Sequence, residues 1–135
     1  MAMTISGGCL CRAIRYQATA EPVARSLCHC RTCRLAAGAP SLAWVIFPAR
    51  AFAFTAGTPI RFQSSPGVWR TFCGQCGTTL TYQRETRPET IDATTATLDE
   101  PDAYPPAVEI WTSRKLAWES LNGAIPQFPE SSRKA

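Results

Sequence analysis

The sequence predicts a mainly β protein made of many short strands. Eleven prolines are spread along the 135 residues, and proline interrupts long helices. The apolar segments are short, rich in aromatic and β-branched residues, and bounded by Gly, Pro, Ser or Asp, as strands joined by turns are. Seven cysteines fall into three tight clusters, a spacing typical of folds held together by metal–thiolate sites.

Length and composition indicate one globular domain. A chain of 135 residues with 45% hydrophobic and 18% charged residues can bury a single core. We expect one domain over residues 1–135, with its core at about residues 4–128 and a polar C-terminal tail. The net charge of +4 comes without a Lys/Arg-rich block, and only a short basic pair, Arg133–Lys134, stands near an end. A nucleic-acid partner is therefore not expected.

The first residues and the apolar runs of the sequence indicate where the protein is located in the cell. No apolar run approaches the ~20 residues of a membrane span. The first residues have neither the basic region nor the apolar core of a secretory signal. Clustered cysteines in a chain of this kind are more often metal ligands than disulfides. We therefore expect a cytoplasmic protein with no membrane partner.

The N-terminal half is predicted to alternate turns and short strands. Residues 7–16 are interpreted as a glycine-rich turn entering a strand. Cys9 and Cys11 would then share a face, because residues two apart do so in an extended chain. A single helical turn is expected after the central cysteines, ended by Gly38 and Pro40. Strands are predicted at residues 42–47, 52–54 and 60–63.

The C-terminal half is predicted to contain a hairpin with cysteines in its turn. Strands at residues 68–72 and 78–83 flank the turn at residues 73–77. The remaining predictions are a polar loop at 84–89, a Thr-rich strand at 90–98, a Pro/Asp-rich connection at 99–106, a last strand at 108–111, a short helix at 115–121 and an irregular tail from 122.

The cysteine clusters divide into a group of four and a group of three. The C-x-x-C-G turn at residues 73–77 resembles a zinc knuckle, which supplies two ligands and needs two more. The C-x-C pair at residues 9–11 is its natural partner, which leaves Cys28, Cys30 and Cys33 for a second metal. A closed site of four ligands is structural, whereas a site of three keeps a position open for substrate.

Other interpretations of these residues remain open. Ordinary buried cysteines would be scattered rather than clustered, but a C-x-x-C pair can also serve a thiol exchanger, which would form disulfides without metal. His29 could complete the second metal site. It lies between two ligands, however, and neighbours in an extended chain point in opposite directions. The alternative is a polar group that supports the ligands.

Several stretches together resemble a known family. They are Gly8–Cys11, Cys28–Arg34 with Gly38–Pro40, Arg70–Thr78, and Ile110–Ser113 with Trp118. Spread over nearly the whole chain, they are similar to the glutathione-dependent formaldehyde-activating enzyme family, which also includes centromere protein V. The cysteine pattern is the specific part of this resemblance.

The resemblance implies a β-tent fold related to zinc ribbons, in which short antiparallel strands are held by two zinc–cysteine sites per chain. It implies a zinc-dependent carbon–sulfur lyase-type enzyme that acts on the adduct of glutathione, or another thiol, with a small aldehyde such as formaldehyde. Glutathione would be the co-substrate. The implied structural zinc ligands are Cys9, Cys11, Cys73 and Cys76, and the implied ligands of the catalytic zinc are Cys28, Cys30 and Cys33.

Two features of the chain depart from the family pattern. Glu109 stands where members commonly carry a histidine, and Leu35-Ala36-Ala37 replaces a more polar run. Both changes bear on the substrate. The alternative function is a non-catalytic, zinc-stabilised binding module of the same fold. An open three-sulfur site separates the two functions, because a scaffold needs no open coordination position.

Three thiolates suit thiol chemistry. On a zinc ion they leave an electron-rich site that accepts a further soft thiolate and keeps it nucleophilic toward a small carbonyl. Glutathione also carries two carboxylates, and Arg31, Arg34 and Arg70 lie beside the ligands as candidate contacts. Trp44 and Trp111 could line a pocket, although aromatic residues in strands usually belong to the core.

Overall fold

The strands predicted from the sequence dominate the fold. The structure is a computed structural model that describes residues 3–132, so Arg133 and Lys134 lie outside the described residues. The strands are β1 (Ile5–Gly8), β2 (Arg15–Ala18), β3 (Ala24–Cys28), β4 (Leu42–Pro48), β5 (Phe52–Ala56), β6 (Ile60–Ser65), β7 (Val68–Phe72), β8 (Thr79–Arg84), β9 (Arg87–Thr94) and β10 (Val108–Ile110). The mainly β class is confirmed.

Helical segments are short. One α-helix, α1 (Arg31–Ala37), lies among the described residues. Single 3₁₀ turns lie at Ala49–Ala51, Thr95–Thr97, Pro101–Ala103 and Thr112–Arg114. None of these helices has the length and apolar character that crossing a membrane requires.

Within residues 3–132 the strands form two sheets. The smaller has the order β1-β2-β5, and the larger has the order β10-β3-β4-β9-β8-β7-β6. Neighbouring strands run antiparallel except β10, which pairs with β3 in parallel. In the larger sheet Cys28, the last residue of β3, lies opposite Leu42 of β4 and Ile110 of β10. This pairing brings a late segment of the chain beside the central cysteines.

Two apolar clusters underlie the two cysteine groups. One gathers Tyr16, Phe47 and Leu80 with Cys9 and Cys73. The other gathers Trp44 and Ile46 with Cys28 and Cys33, and Tyr82 and Trp111 pack against it. Each group of sulfurs is therefore built onto a packed core rather than carried on a free loop.

Local structure differs from the prediction around the first cysteines. The predicted extended stretch is instead a turn between β1 and β2, closed by hydrogen bonds from the Cys9 amide to the Ile14 carbonyl and from the Arg12 amide to the Cys9 carbonyl. Arg12 has a φ of 68°, in the left-handed region. Cys9 and Cys11 therefore converge because the chain curls, and not because they alternate along a strand.

Other boundaries also differ. The central motif contains the end of β3, which the polar sequence Ala24–Cys28 did not reveal, and α1 begins within the motif rather than after it. β9 begins at Arg87, inside the predicted polar loop, and ends at Thr94 where a 3₁₀ turn follows. The helix predicted at 115–121 is wrong: the chain is irregular there, and its short 3₁₀ turn lies earlier, at Thr112–Arg114.

Gly7 of β1 is expected to be essential for the close packing of β1 against Tyr16 and Thr97. A Cβ atom added there would overlap the Tyr16 hydroxyl and the Thr97 carbonyl oxygen, and Tyr16 is buried and hydrogen-bonded to Thr97 at 2.6 Å. Gly7→Ala should lower the free energy of unfolding by about 1–3 kcal/mol, the usual effect of overpacking a core. Urea denaturation measures this loss.

Gly123→Ala is the matched control, because nothing lies within 4 Å of the added Cβ atom. It should leave the urea midpoint nearly unchanged. Equal midpoints for the two variants would contradict the close packing of β1 against Tyr16.

Candidate metal centres and their cavity

The four-cysteine group comprises Cys9, Cys11, Cys73 and Cys76. The first two lie in the turn after β1 and the last two in the turn between β7 and β8. Cys11 Sγ lies 3.6 Å from Cys9 Sγ and 3.7 Å from Cys73 Sγ, and all four sulfurs lie within 4.8 Å of one another. The two hairpin turns thus meet at their sulfurs.

Backbone geometry in the β7–β8 turn directs amide groups at a sulfur. The amides of Gln75 and Cys76 donate to Cys73 Sγ at 3.3 and 3.4 Å. Gly77 closes the turn with a φ of 80°, a conformation that glycine adopts without strain. A hydrogen bond from the Thr78 hydroxyl lowers the pKa of Cys76 to about 5. This bond to Cys76 favours its thiolate form.

This geometry fits a tetrahedral metal. Four thiolates at about 2.3 Å from a zinc ion stand about 3.8 Å apart, close to the sulfur separations of 3.6 and 3.7 Å. All seven cysteines of the chain are free thiols, so each sulfur is available as a ligand. The four-cysteine group can therefore hold a metal ion with its coordination closed.

The three-cysteine group comprises Cys28, Cys30 and Cys33. Cys28 ends β3, Cys30 caps the N-terminus of α1 by accepting the Cys33 amide at 3.3 Å, and Cys33 lies in the first turn of that helix. Their three sulfurs lie within 4.8 Å of one another. The end of β3 and the start of α1 thus bring the three sulfurs together.

The pKa values of Cys28 and Cys30 are shifted in opposite directions. Hydrogen bonds from the Cys28 and Cys33 thiols lower the pKa of Cys30 to about 2, whereas the contact with Cys30 raises the pKa of Cys28. One sulfur holds the negative charge while its neighbour keeps a proton, because adjacent thiolates repel. A divalent cation between them would remove this conflict, since coordination deprotonates a thiol. The donor set of this group therefore also fits a soft metal ion.

Arg70 contacts this group and also lines the cavity beside it. It is only 6% exposed, and its guanidinium donates to Cys33 Sγ at 3.8 and 3.9 Å and to Ser64 Oγ at 3.1 Å. It also stacks over the Tyr82 ring at 5.0 Å. The structure therefore places Arg70 against a sulfur. The contact with Cys28 lowers the pKa of Cys33, but the contact with Cys30 and burial raise it further, so the pKa is raised overall and the charge of Arg70 opposes that rise.

The other two predicted arginines sit at the cavity wall. Arg34 donates through Nε to the carbonyl of His29 at 3.3 Å, and Arg31 is exposed on the first turn of α1. Both line the cavity in front of the three-cysteine group. They are positioned to meet a ligand there.

His29 turns away from the sulfurs. Its Nε2 lies 2.8 Å from Glu109 Oε1, and both side chains are fully buried. Its Nδ1 lies 3.8 Å from Glu119 Oε2, and neither of these two atoms has a hydrogen-bond partner among the described residues. His29 is not among the atoms that could ligate a metal with the three cysteines, which favours a supporting role.

Glu109 joins this histidine to the C-terminal segment. Its Oε2 accepts the Asn122 amide at 2.7 Å and the Gln127 side-chain amide at 3.1 Å. The residue that departs from the family pattern is therefore the acceptor of three hydrogen bonds in the interior. It holds the irregular tail against the loop that carries Cys28 and Cys30.

A cavity of about 700 Å³ opens in front of the three-cysteine group. Trp44, Tyr82 and Trp111 contribute to its walls, and Trp111 has a φ of 55°, a strained conformation for a bulky residue. Such strain concentrates at functional sites. Trp44, by contrast, is 3% exposed and belongs to the core as well as to the wall.

Several cavity residues were not anticipated from the sequence. They include Tyr82 and the arginines Arg25, Arg84, Arg87 and Arg114. One signal was present: the two strands predicted around residues 73–77 would pair as a hairpin, and that pairing sets Tyr82 opposite Arg70. Arg25 and Arg114 belong to segments that come together through the β3–β10 pairing. Local sequence patterns do not predict this pairing.

Comparisons with known proteins show the family and the fold of the chain. The family model described as glutathione-dependent formaldehyde-activating enzyme matches residues 4–114. An uncharacterized lyase of Schizosaccharomyces pombe is 32% identical over 120 residues, covering 73% of this chain and 82% of the relative. A crystal structure of a Rhodobacter sphaeroides protein has a TM-score of 0.59 at 22% identity, covering 70% of this chain and 87% of the other, which shows a shared fold.

The buried acceptor Glu109 yields a stability prediction. Glu109→Ala would leave His29 Nε2, the Asn122 amide and the Gln127 amide without their partner in the interior. We expect a loss of about 3–5 kcal/mol in the free energy of unfolding, measured by urea denaturation. The control is Glu100→Ala, an exposed carboxylate, for which a change within about 0.5 kcal/mol is expected. Similar losses in the two variants would contradict the network.

Proposed function

We propose that this chain, which belongs to the glutathione-dependent formaldehyde-activating enzyme family, is a zinc-dependent carbon–sulfur lyase-type enzyme. Its substrate would be the adduct of glutathione, or a similar thiol, with a small aldehyde such as formaldehyde. The observation that carries the proposal is the three-cysteine group at the wall of a 700 Å³ cavity. A closed structural site would need neither the cavity nor a missing fourth ligand.

The two cysteine groups would have different roles. The four-cysteine group has enough ligands to close a zinc site, and it joins two hairpin turns, so we assign it a structural zinc. Cys28, Cys30 and Cys33 would hold the catalytic zinc and leave one position for a substrate sulfur. A zinc ion with three thiolates supplies a site where a thiol binds deprotonated yet stays reactive.

The chain's own residues would bind and orient the substrate. The buried guanidinium of Arg70, in contact with Cys33 Sγ, stabilises negative charge on the ligand sulfurs. Arg31 and Arg34 at the cavity wall would bind carboxylates of the thiol substrate. Trp44, Tyr82 and Trp111 form an apolar wall that limits water around the reacting sulfur.

The reaction is a reversible cleavage. In the lyase direction the carbon–sulfur bond of an S-hydroxymethyl adduct breaks, and its electron pair stays on sulfur. The carbonyl double bond forms as the hydroxyl proton leaves, and one proton returns to the thiol product. No oxidant or reductant is required. The cavity must therefore hold both products as they separate, and its size allows this.

Metal content tests the division of the cysteines. Protein purified under reducing conditions should contain two zinc ions per chain, and Cys30→Ser should contain one, because the three-cysteine group would retain too few thiolates. Elemental analysis gives the ratio. Arg50→Gln, an exposed residue outside the cavity wall, should keep both ions. One zinc in both wild type and Cys30→Ser would mean that the central group binds none.

Exchange kinetics test the reaction itself. Glutathione and ¹³C-labelled formaldehyde combine spontaneously in water, and exchange NMR measures how fast the adduct and free formaldehyde interconvert. The zinc-loaded protein should raise this rate, Arg50→Gln should match it, and Cys30→Ser should fall to the spontaneous rate. A protein with two zinc ions that leaves the rate unchanged would instead favour the non-catalytic binding module.

A further inference from the structure

The charges around the cavity are strongly unbalanced. Seven of the chain's 14 Arg and Lys residues line it, whereas Asp92 is the one acidic residue among the described residues of its wall. The whole chain carries a net charge of only +4. The positive charge is therefore concentrated at one place rather than spread over the surface, as a site for an anionic ligand requires.

Some of these arginines already contact other groups of the protein. Arg70 contacts Cys33, and Arg34 donates to the His29 carbonyl. Arg87 and Asp92 also interact with other protein groups. With these set aside, four arginines of the wall form no ion pair with a carboxylate within residues 3–132. These four are Arg25, Arg31, Arg84 and Arg114.

Glutathione alone does not match this charge. It carries two carboxylates and one ammonium group, and each carboxylate is satisfied by a single bidentate arginine. If Arg31 and Arg34 take the two carboxylates, Arg25, Arg84 and Arg114 still face the cavity, and their like charges repel one another. The wall is built for a ligand that is more anionic than the tripeptide.

The position of Arg84 indicates where the additional anion lies. Arg84 lies opposite Arg87 at the end of the β8–β9 hairpin, and Arg87 already interacts with other protein groups. Tyr82, which contacts Arg70 beside Cys33, lies on the same strand. Arg84 stands two residues further along β8, roughly 7 Å away. The hairpin end is thus a second cationic place, separate from the sulfurs.

We propose that the ligand of this cavity carries at least one anionic group, a carboxylate or a phosphate, beyond the two carboxylates of glutathione, and that Arg84 binds it. The inference rests on the proposed function, because it places the substrate sulfur at the three-cysteine group. The additional anion has two possible sources. It belongs either to the carbonyl-derived half of the adduct or to a thiol that bears phosphates.

Two matched pairs of compounds separate these sources. S-carboxymethylglutathione and S-methylglutathione differ by one carboxylate on the sulfur substituent. Coenzyme A and pantetheine share a thiol arm and differ in the phosphate-bearing nucleotide. Binding of each to the zinc-loaded protein is measured by titration calorimetry. At least one pair should show a preference of about tenfold or more for the more anionic member, as expected for hydrogen bonds to charged groups.

Variants assign the preference to the hairpin end. Arg84→Gln should reduce it to near equality, while Arg50→Gln, an arginine of similar charge outside the wall, should leave it unchanged. Circular dichroism checks that both variants are folded. A preference that survives in Arg84→Gln would overturn the assignment of Arg84.

The outcomes distinguish this inference from the proposed function. A preference within the first pair supports an anionic carbonyl half, and one within the second supports a phosphorylated thiol. Equal affinities within both pairs, together with accelerated formaldehyde exchange, would overturn the inference and leave the proposed function standing. If none of the four compounds binds and exchange is not accelerated, both are wrong.

Discussion

The mutual repulsion of neighbouring thiolates is the constraint on which this structure depends. Seven thiols are drawn into two groups with sulfurs within 4.8 Å of one another, and such groups cannot all ionise without a cation among them. The opposite pKa shifts of Cys28 and Cys30 express this conflict directly. The turns that carry the sulfurs are each tied to a packed cluster, so the fold holds the sulfurs together against their repulsion.

Around the three-cysteine group, support comes from two buried polar side chains of different kinds. Arg70 approaches from β7 and places a cation against Cys33. His29, between two of the cysteines, faces the opposite way and is held by Glu109 of β10. The contact of Arg70 affects the charge of the Cys33 sulfur, whereas the bond between His29 and Glu109 fixes the backbone between Cys28 and Cys30. Together they leave the cavity side of the group open to a ligand.

The sequence predicts those features that depend on residues close together in the chain. The spacing of the cysteines gave the two groups that the structure assembles, and the apolar run at residues 42–47 predicted β4. β3 was missed because its residues are half polar and its partners come from distant segments. The helix predicted at 115–121 is absent because long-range contacts hold this part of the chain: Glu119 within the segment accepts the Ser41 hydroxyl, and Asn122 just after it donates its amide to Glu109. The arginines of the cavity wall converge only through tertiary pairing.

The parallel pairing of β10 with β3 has a consequence for synthesis of the chain on the ribosome. Cys11 meets Cys73 across 62 residues, so the four-cysteine group is incomplete until Cys76 has been made. The three-cysteine group is local in sequence, but β3, which carries Cys28, lacks its partner β10 until residue 110 has been made. Contacts this distant in sequence also form slowly, because the entropy of closing the loop is lost before the contacts can stabilise the chain. During that interval Cys9 and Cys11 are thiols without their partners Cys73 and Cys76. Cys9 and Cys11 are therefore open to oxidants and to misplaced metals until the β7–β8 turn is made, whereas Cys28, Cys30 and Cys33 have one another from the start and gain the support of β10 last.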